Sequence, residues 1–443
     1  MQLNDPRRSA LAAAALSLLG TVPAVHAQSS DGKSWSFDFA TLLYSESDGR
    51  VQVVEPKMRA EKGLGNERSF GATATVDVLS GASPNGAAPA SKPQTFSSSS
   101  GGGGYTIPAY QLPKDPNFKD QRMALELDYS FAPGIGNHVS FDTNVSAESD
   151  YTSLGGGGRW SHDFNDGNTT LGLGLNYSND TVSPKSGAPQ PLSQMKPPSG
   201  ENEGGGEGGG GESEGGEGGG TGDSAGKNKQ VLDAMIGVTQ LLSPHSLMQL
   251  NYSASRSTGY LNDPYKVLSV VDPSATPLSY VYESRPSSRM KQSLYAQYKH
   301  FVFDSDVVDF SYRFMTDDWG IKSHTADLSN RWNFGSTQYL EPHLRWYRQN
   351  QADFFHAALD QGQETTLPYA SADPRLGAFS AYTVGLKYGH QLHNGMSWDI
   401  RAEYYTQHGQ VTGLPPVAGS ALSQFNLAPS LNAAYLTLGF SFK

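Results

Sequence analysis

The stretch Met123-Ala-Leu125-Glu-Leu127-Asp-Tyr129-Ser-Phe131 decides the fold class. Every second residue is apolar and those between are small or charged, a period of two that belongs to an extended strand and not to a helix. The same alternation runs through Val139-Ser-Phe141-Asp-Thr143-Asn-Val145-Ser-Ala147. Leu171, Leu173, Leu175 and Tyr177 alternate with Gly172, Gly174 and Asn176, and Val308, Phe310, Tyr312 and Phe314 with Asp309, Ser311, Arg313 and Met315. Trp398, Ile400, Ala402 and Tyr404 do so against Asp399, Arg401, Glu403 and Tyr405. Each strand therefore has an apolar and a polar face. In a soluble sandwich the apolar face meets a core. In an outer-membrane barrel it meets lipid, and the polar face lines the lumen.

Three features select the barrel. Ala434-Tyr-Leu436-Thr-Leu438-Gly-Phe440-Ser-Phe442-Lys443 alternates and ends in aromatics at its apolar positions. It resembles the C-terminal strand that the barrel-assembly machinery reads in Gram-negative outer-membrane proteins, with Lys443 as the departure. Connections alternate in length. Tight turns are predicted at Pro133-Gly134, Asp166-Gly167, Ser243-Pro244, Asp304–Asp306, Gly335-Ser336 and Asn394-Gly395. Long loops follow Ser80, Asn179, Tyr260, Gln351 and Gly409. Trp319, Trp332, Trp346, Tyr388 and Trp398 fall near strand ends, where aromatic girdles lie at a membrane surface. Composition agrees: of 443 residues 50 are glycine, 22 tyrosine and none cysteine, with only 17% charged. The absence of cysteine excludes disulfides, thiolate metal sites and cysteine nucleophiles. A net charge of −11 speaks against a nucleic-acid partner.

Residues 1–27 read as a signal peptide, with Arg7-Arg8, the apolar run from Ala10 to Leu19 and a Val25-His26-Ala27 cleavage site. Residues 28–443 are then one all-β, transmembrane antiparallel β-barrel with long extracellular loops and short periplasmic turns. Strands are expected near 35–45, 49–60, 68–79, 120–131, 137–149, 152–164, 168–179, 228–242, 246–258, 287–302, 305–317, 319–334, 336–350, 378–391, 395–408 and 433–443. That makes about 16, and an even number places both ends in the periplasm. The second is the weakest, because Pro56 suits only an edge or a bulge.

Sixteen strands enclose an aqueous lumen unless loops fold into it. The long loop 80–119 and the Gly/Glu-rich loop 180–227 are long enough to do so. The second carries the acidic glycine tract from Glu201 to Glu217 and is expected to be disordered over much of its length. The lumen face carries both charge signs, including Arg122, Asp327 and Arg331, and is densest at Glu341, His343, Arg345, Lys387, Asp399, Arg401 and Glu403. Such a cluster suits a constriction field or the docking of a partner. The plain alternative is a polar wall with salt bridges between neighbouring strands. Enzyme signatures are thin. No His-Glu-x-x-His, Gly-x-Ser-x-Gly or phosphate-binding loop occurs. His390 and His393 flank a turn with Asp399 on the return strand, a pattern more often of solvated turn residues than of a metal site.

Several segments occur together: Asp77-Val-Leu-Ser-Gly81-Ala-Ser-Pro84-Asn-Gly86-Ala, Gln94-Thr-Phe96, Ser149-Asp150-Tyr151-Thr-Ser-Leu154-Gly, Asn168-Thr-Thr-Leu171 and Gly259-Tyr-Leu-Asn262-Asp-Pro264-Tyr-Lys266. In order and spacing they resemble a proteobacterial family known as domain-of-unknown-function family 3570, over essentially the whole mature chain. The resemblance implies an outer-membrane barrel and no reaction. Relatives in that family neighbour genes for a small lipoprotein, a thioredoxin-like protein and a flavin transferase, which implies service to an extracytoplasmic redox pathway. Both long motifs sit at strand-to-loop exits. Asp77, Asn262, Asp263, Tyr265 and Lys266 therefore either brace the mouth or contact a solute or partner there.

The expected protein is a non-enzymatic barrel of the Gram-negative outer membrane, without cofactor or metal. It serves as a porin-like channel for small solutes or, alternatively, as a structural barrel that docks a redox partner or small lipoprotein. Its other partners are outer-membrane lipid and, during biogenesis, the assembly machinery.

Overall fold

The computed structural model describes residues 34–98, 103–195, 226–302, 306–392 and 395–442. In chain order its strands begin with β1 (Trp35–Glu46), β2 (Gln52–Gly65), β3 (Arg68–Ser80), β4 (Gln94–Ser97) and β5 (Gly104–Ile107). There follow β6 (Lys119–Gly134), β7 (Asn137–Ala147), β8 (Tyr151–Phe164), β9 (Thr169–Val182), β10 (Lys227–Ser243) and β11 (Ser246–Gly259). Next are β12 (Val267–Val271), β13 (Pro277–Tyr282), β14 (Ser288–Val302), β15 (Asp306–Asp317) and β16 (Lys322–Phe334). The last are β17 (Gln338–Gln349), β18 (Leu359–Asp360), β19 (Phe379–Gln391), β20 (Ser397–Gly409) and β21 (Leu431–Phe442).

Sixteen of these close into one antiparallel barrel in chain order, leaving out β4, β5, β12, β13 and β18. The ring is completed by β21 against β1, in register from Phe37↔Phe442 to Glu46↔Ala433. The alternation in the sequence becomes the two surfaces of this wall. Phe141 is 55% exposed and Leu175 62% exposed on the outside, while their neighbours Asp142 and Asn176 face in. An apolar exterior of this extent is stable only against hydrocarbon, so the fold is that of an outer-membrane β-barrel. No helix among the described residues is long and apolar enough to cross a membrane.

All sixteen expected barrel strands are present, and the differences are local. The second runs 52–65 instead of 49–60. Pro56 is neither at an edge nor in a bulge, because a closed ring has no edge. It pairs with Thr41 of β1, and on the β3 side the ladder skips from Val54↔Val78 to Lys57↔Thr75 without a change of register. Pro342 in β17 is accommodated in the same way, between His343↔Ser329 and Leu340↔Trp332. A missing N–H thus removes a rung and leaves the register intact. Trp332, Tyr388 and Trp398 occupy outward positions towards the short-turn end, with the Tyr388 and Trp398 rings 5.5 Å apart. Trp319 does not join a girdle: it is buried at the loop end among Leu261, Ile321, Ala352, Phe354 and Leu376. His390 lies outward against the Trp398 ring while Asp399 faces the lumen, so the two cannot share a metal; His393 lies outside the described residues.

The loop end departs most from expectation. Segment 183–195, taken from composition as part of a disordered loop, is packed: the Met195 amide donates to the Tyr280 carbonyl at 2.8 Å, and Met195 is buried. The acidic glycine tract itself lies outside the described residues. The five short strands make two small sheets at this end, β13-β12-β18 and β4-β5.

Candidate functional site

The densest predicted cluster assembles on the lumen wall of β16, β17, β19 and β20. Antiparallel pairing brings Glu341 opposite Lys387 and Lys387 opposite Arg401, which places alternate residues of neighbouring strands side by side. Glu341 accepts from Arg331 at 3.0 Å and lies 3.2 Å from Arg401. His343 sits between two carboxylates, with Nδ1 2.8 Å from Glu403 and Nε2 2.6 Å from Asp327. Arg345 pairs with Asp327, Lys387 with Asp399 at 3.3 Å, and Arg401 reaches Glu403 at 3.5 Å. All seven predicted residues therefore belong to ion pairs on one stretch of wall, together with Asp327 and Arg331. Gly385 of β19 makes the room: a Cβ there would stand 2.6 Å from a Glu403 carboxylate oxygen. The network balances four carboxylates with four permanent cations around one histidine. It presents both signs to the lumen within a short arc.

The loop end is roofed. Loops 81–118 and 260–287 leave the ring on nearly opposite sides, yet they meet. The Val267 amide donates to the Asn85 carbonyl at 2.9 Å, the Ala88 amide to the Ser269 hydroxyl at 3.1 Å, and Gln94 to the Tyr280 hydroxyl at 2.9 Å. Loop 350–378 adds β18 in parallel to β12, and loop 410–430 is tied to it by the Ala418 amide on Asp360 at 2.9 Å. Strand β12 at the hub is wholly buried, with Leu268 at 0% exposure. Apolar clusters such as Leu268, Val270, Val281, Leu359, Ala370 and Ala372 give this layer a core of its own. Between the roof and the upper wall of β19–β21 a cleft of about 70 Å³ remains, bordered by Pro84, Ala88, Phe355, Ala378, Gln407 and Leu427.

The predicted rim residues separate. Asp77 stays on β3, paired with Arg122 of β6. The other four enter the roof. Asn262 accepts from the Arg285 amide at 2.7 Å, Tyr265 donates to Asp150, and Lys266 donates to the Pro84 carbonyl at 2.6 Å. Asp263 joins a buried set that the sequence reading did not assemble: Arg375 lies 2.6 Å from Asp263 and also pairs with Asp373, while Arg285 lies 2.8 Å from Asp373 and 2.6 Å from Glu283. Burial alone would raise the Asp373 carboxyl, but Arg375 and Arg285 outweigh it and hold that group well below the usual carboxylate range. Asp263 and Lys266 are thus spent on bracing the mouth. The Asp373-Pro374-Arg375 step in loop 350–378 was the one local sign of the partner set.

Asp120, Glu148 and Asp150 also converge, their oxygens within 4.8 Å of one another. Ser149 donates to Asp120 at 3.0 Å. Burial, with Asp120 and Asp150 adding to it, pushes Glu148 up to about 8, so a proton on Glu148 relieves the repulsion at neutral pH.

No curated protein matches the sequence. Among solved structures the chain is similar to the siderophore receptor PirA from Pseudomonas aeruginosa at 9% identity and TM-score 0.39, over 86% of this chain and 57% of that one. It thus spans a little over half the length of that receptor. It is similar to a bacterial polysaccharide outer membrane secretin at 7% identity and TM-score 0.45, over 93% and 99% of the two chains. A loop-deletion form of OmpT, an outer membrane protein of Vibrio cholerae, matches at 7% identity and TM-score 0.39, over 93% and 100%. The profile of the family described as "Protein of unknown function (DUF3570)" matches residues 8–442. That match covers nearly the whole sequence, and the chain belongs to the DUF3570 family.

Proposed function

We propose that the protein is a non-catalytic, porin-like conduit for small solutes in the outer membrane of a Gram-negative cell, with its roof outward. The observation that supports this most is the ion-pair wall of β16–β20. Alternating charges fixed side by side along one stretch of the lumen wall offer polar solutes partners of both signs and so select among them. The roof restricts access from outside to small molecules. Outer-membrane lipid surrounds the barrel, and the assembly machinery inserts it. A second reading has its own support: described loops from around the ring interlock at one end, whereas the described connections at the other end are short turns. A vessel closed outside and open to the periplasm suits a docking barrel for a small lipoprotein or redox partner.

Single-channel conductance of the refolded barrel tests the two. Stable open steps whose ion selectivity changes in Arg401→Ala support the conduit. Silence in the intact protein, with opening in Arg285→Ala where the roof loses its central cation, supports a conduit held shut. Silence in both, with the barrel shown to be folded, overturns the channel and favours the docking barrel. Co-purification of a periplasmic lipoprotein or redox protein from membranes is then expected.

A further inference from the structure

We propose that the outward face of β16–β20 at the loop end is a docking surface for the phosphate-bearing headgroup of an outer-leaflet glycolipid; this rests on the outer-membrane reading above. The barrel sorts charge by face. Strand alternation turns every carboxylate of the sixteen barrel strands into the lumen except Asp306, at the turn end of β15. Among the described strand residues, the lysines and arginines that face outward near the loop end are Lys119, Arg256, Lys322 and Arg348, with no carboxylate beside them on that face.

Lys322 and Arg348 fall within one patch. His324 of β16 pairs directly with Arg348 of β17, Arg348 with Ser380 of β19, and Ser380 with His408 of β20. Lys322 precedes His324 by two residues and so shares its face. With neighbouring strands about 4.8 Å apart, the row from His324 to His408 is roughly 15 Å long. Lys322, Arg348 and His408 are exposed. The His324 ring is steadied by the Tyr312 hydroxyl 2.6 Å from Nδ1. The adjacent β15–β16 turn carries Asp318, whose carboxylate accepts from the Met290 amide at 2.9 Å.

In the lumen most basic side chains are matched by carboxylates, Arg313 lying instead over the Tyr295 ring. At this outer edge the strands of a protein of net charge −11 instead carry cations and no carboxylate, the adjacent Asp318 belonging to the turn. The patch stands where strands leave hydrocarbon for the headgroup layer, so its counter-charge must come from the lipid. A phosphate fits the chemistry: the Arg348 fork can take two of its oxygens while Lys322 contributes a point charge. A neutral headgroup offers no phosphate, and a zwitterionic one offsets its phosphate with a cation of its own.

The test uses the whole chain in detergent and two probes, purified bisphosphorylated lipopolysaccharide and the same material after enzymatic dephosphorylation. Glycolipid retained through gel filtration and the shift in Tm are read for the wild type, for Lys322→Ala with Arg348→Ala, and for Lys62→Ala with Arg68→Ala, which removes outward cations at the turn end. Retention of the phosphorylated probe by the wild type and the turn-end variant is expected. At least tenfold weaker binding is expected for the loop-end variant, and for the dephosphorylated probe on every protein. Equal binding of both probes by the wild type would overturn the proposal without recourse to any variant, as would undiminished binding by the loop-end variant. Failure of the orientation reading is distinguished separately. The chain has no cysteine, so Thr366→Cys in the exposed part of loop 350–378 is a unique label site. Reaction with an impermeant maleimide on intact cells supports the orientation, and reaction only after the outer membrane is opened refutes it.

Discussion

Arg285 lies buried in the roof between Glu283 and Asp373, its side chain 7% exposed. Arg401 makes longer pairs on the lumen wall, 3.2 and 3.5 Å, and its side chain is 33% exposed. The two arginines predict different outcomes. Arg285→Ala strands buried carboxylates and is expected to destabilise the roof by roughly 3–5 kcal/mol, seen as rapid proteolytic cleavage within loops 260–287 and 350–378. Arg401→Ala leaves Glu341 paired with Arg331 and Glu403 with His343, and is expected to change barrel stability by less than about 1 kcal/mol, read from urea unfolding in micelles. A third residue sets a pH dependence. Glu148 is raised to about 8 in the folded protein by burial and by Asp120 and Asp150. A folded-state value above the unfolded one means that its favourable contribution is complete below the unfolded carboxylate range. That contribution is lost progressively as pH rises towards about 8. Glu148→Gln, which cannot ionise, should flatten that loss. Its Tm is expected to match the wild type at pH 5 and exceed it at pH 9, and equal decline in both proteins would refute the assignment.

At the scale of the element, the barrel strands were legible because lipid and water impose a strict alternation on every one of them, so Met123 to Phe131 reports its own environment. Position was harder to read than existence. Gln52–Gly65 extends beyond its expected end because Glu61, Gly63 and Gly65 continue the ladder where apolar contrast fades. Pro56 looked like an edge signal, whereas a two-sided ladder tolerates one missing rung. Strands β12 and β13 were not legible. They pack in the protein interior of a loop layer, where Val267–Val271 is a plain apolar run without alternation, and a run of five residues carries little period to read. The ion set was hidden for a related reason: Asp263, Arg285 and Arg375 have the composition of solvated loop residues, and only contacts between positions 88 and 112 residues apart bring them together. What did point to the roof were the long motifs around Gly81–Gly86 and Asn262–Lys266. Glycine is needed at position 86, where φ is 102° and a Cβ would stand 2.5 Å from the Val267 carbonyl.

For the whole molecule, composition is a poor guide to the first part of one long loop. Residues 183–195 dock on β13 through Leu192, Gln194 and Met195, whereas the acidic glycine tract follows them in sequence. Removing residues 197–225 is therefore expected to leave the Tm unchanged within about one degree. Removing 185–226 also deletes the buried Met195 side chain and the hydrogen bonds to β13, which is expected to lower Tm by several degrees, since losing a buried Met costs about 2–5 kcal/mol. Scanning calorimetry of the two deletions decides the matter, and equal Tm values would mean that the docked segment is dispensable. The lumen cluster was legible at this scale because its residues lie on neighbouring strands of a ring, so sequence order already gives spatial order. The roof joins segments that no neighbour rule connects.

The seam between β1 and β21 carries a consequence for manufacture. Because the ring is sealed by its earliest and its latest strand, no shorter chain is a smaller version of the finished article. A product that stops before Leu431 loses one staff of the hoop but presents two raw flanks, the free sides of β1 and β20, each with a row of unpaired amides and carbonyls. In hydrocarbon such flanks are intolerable, and in the periplasm they are adhesive. A truncated chain therefore differs from the closed ring by two open edges, and one joint decides between them.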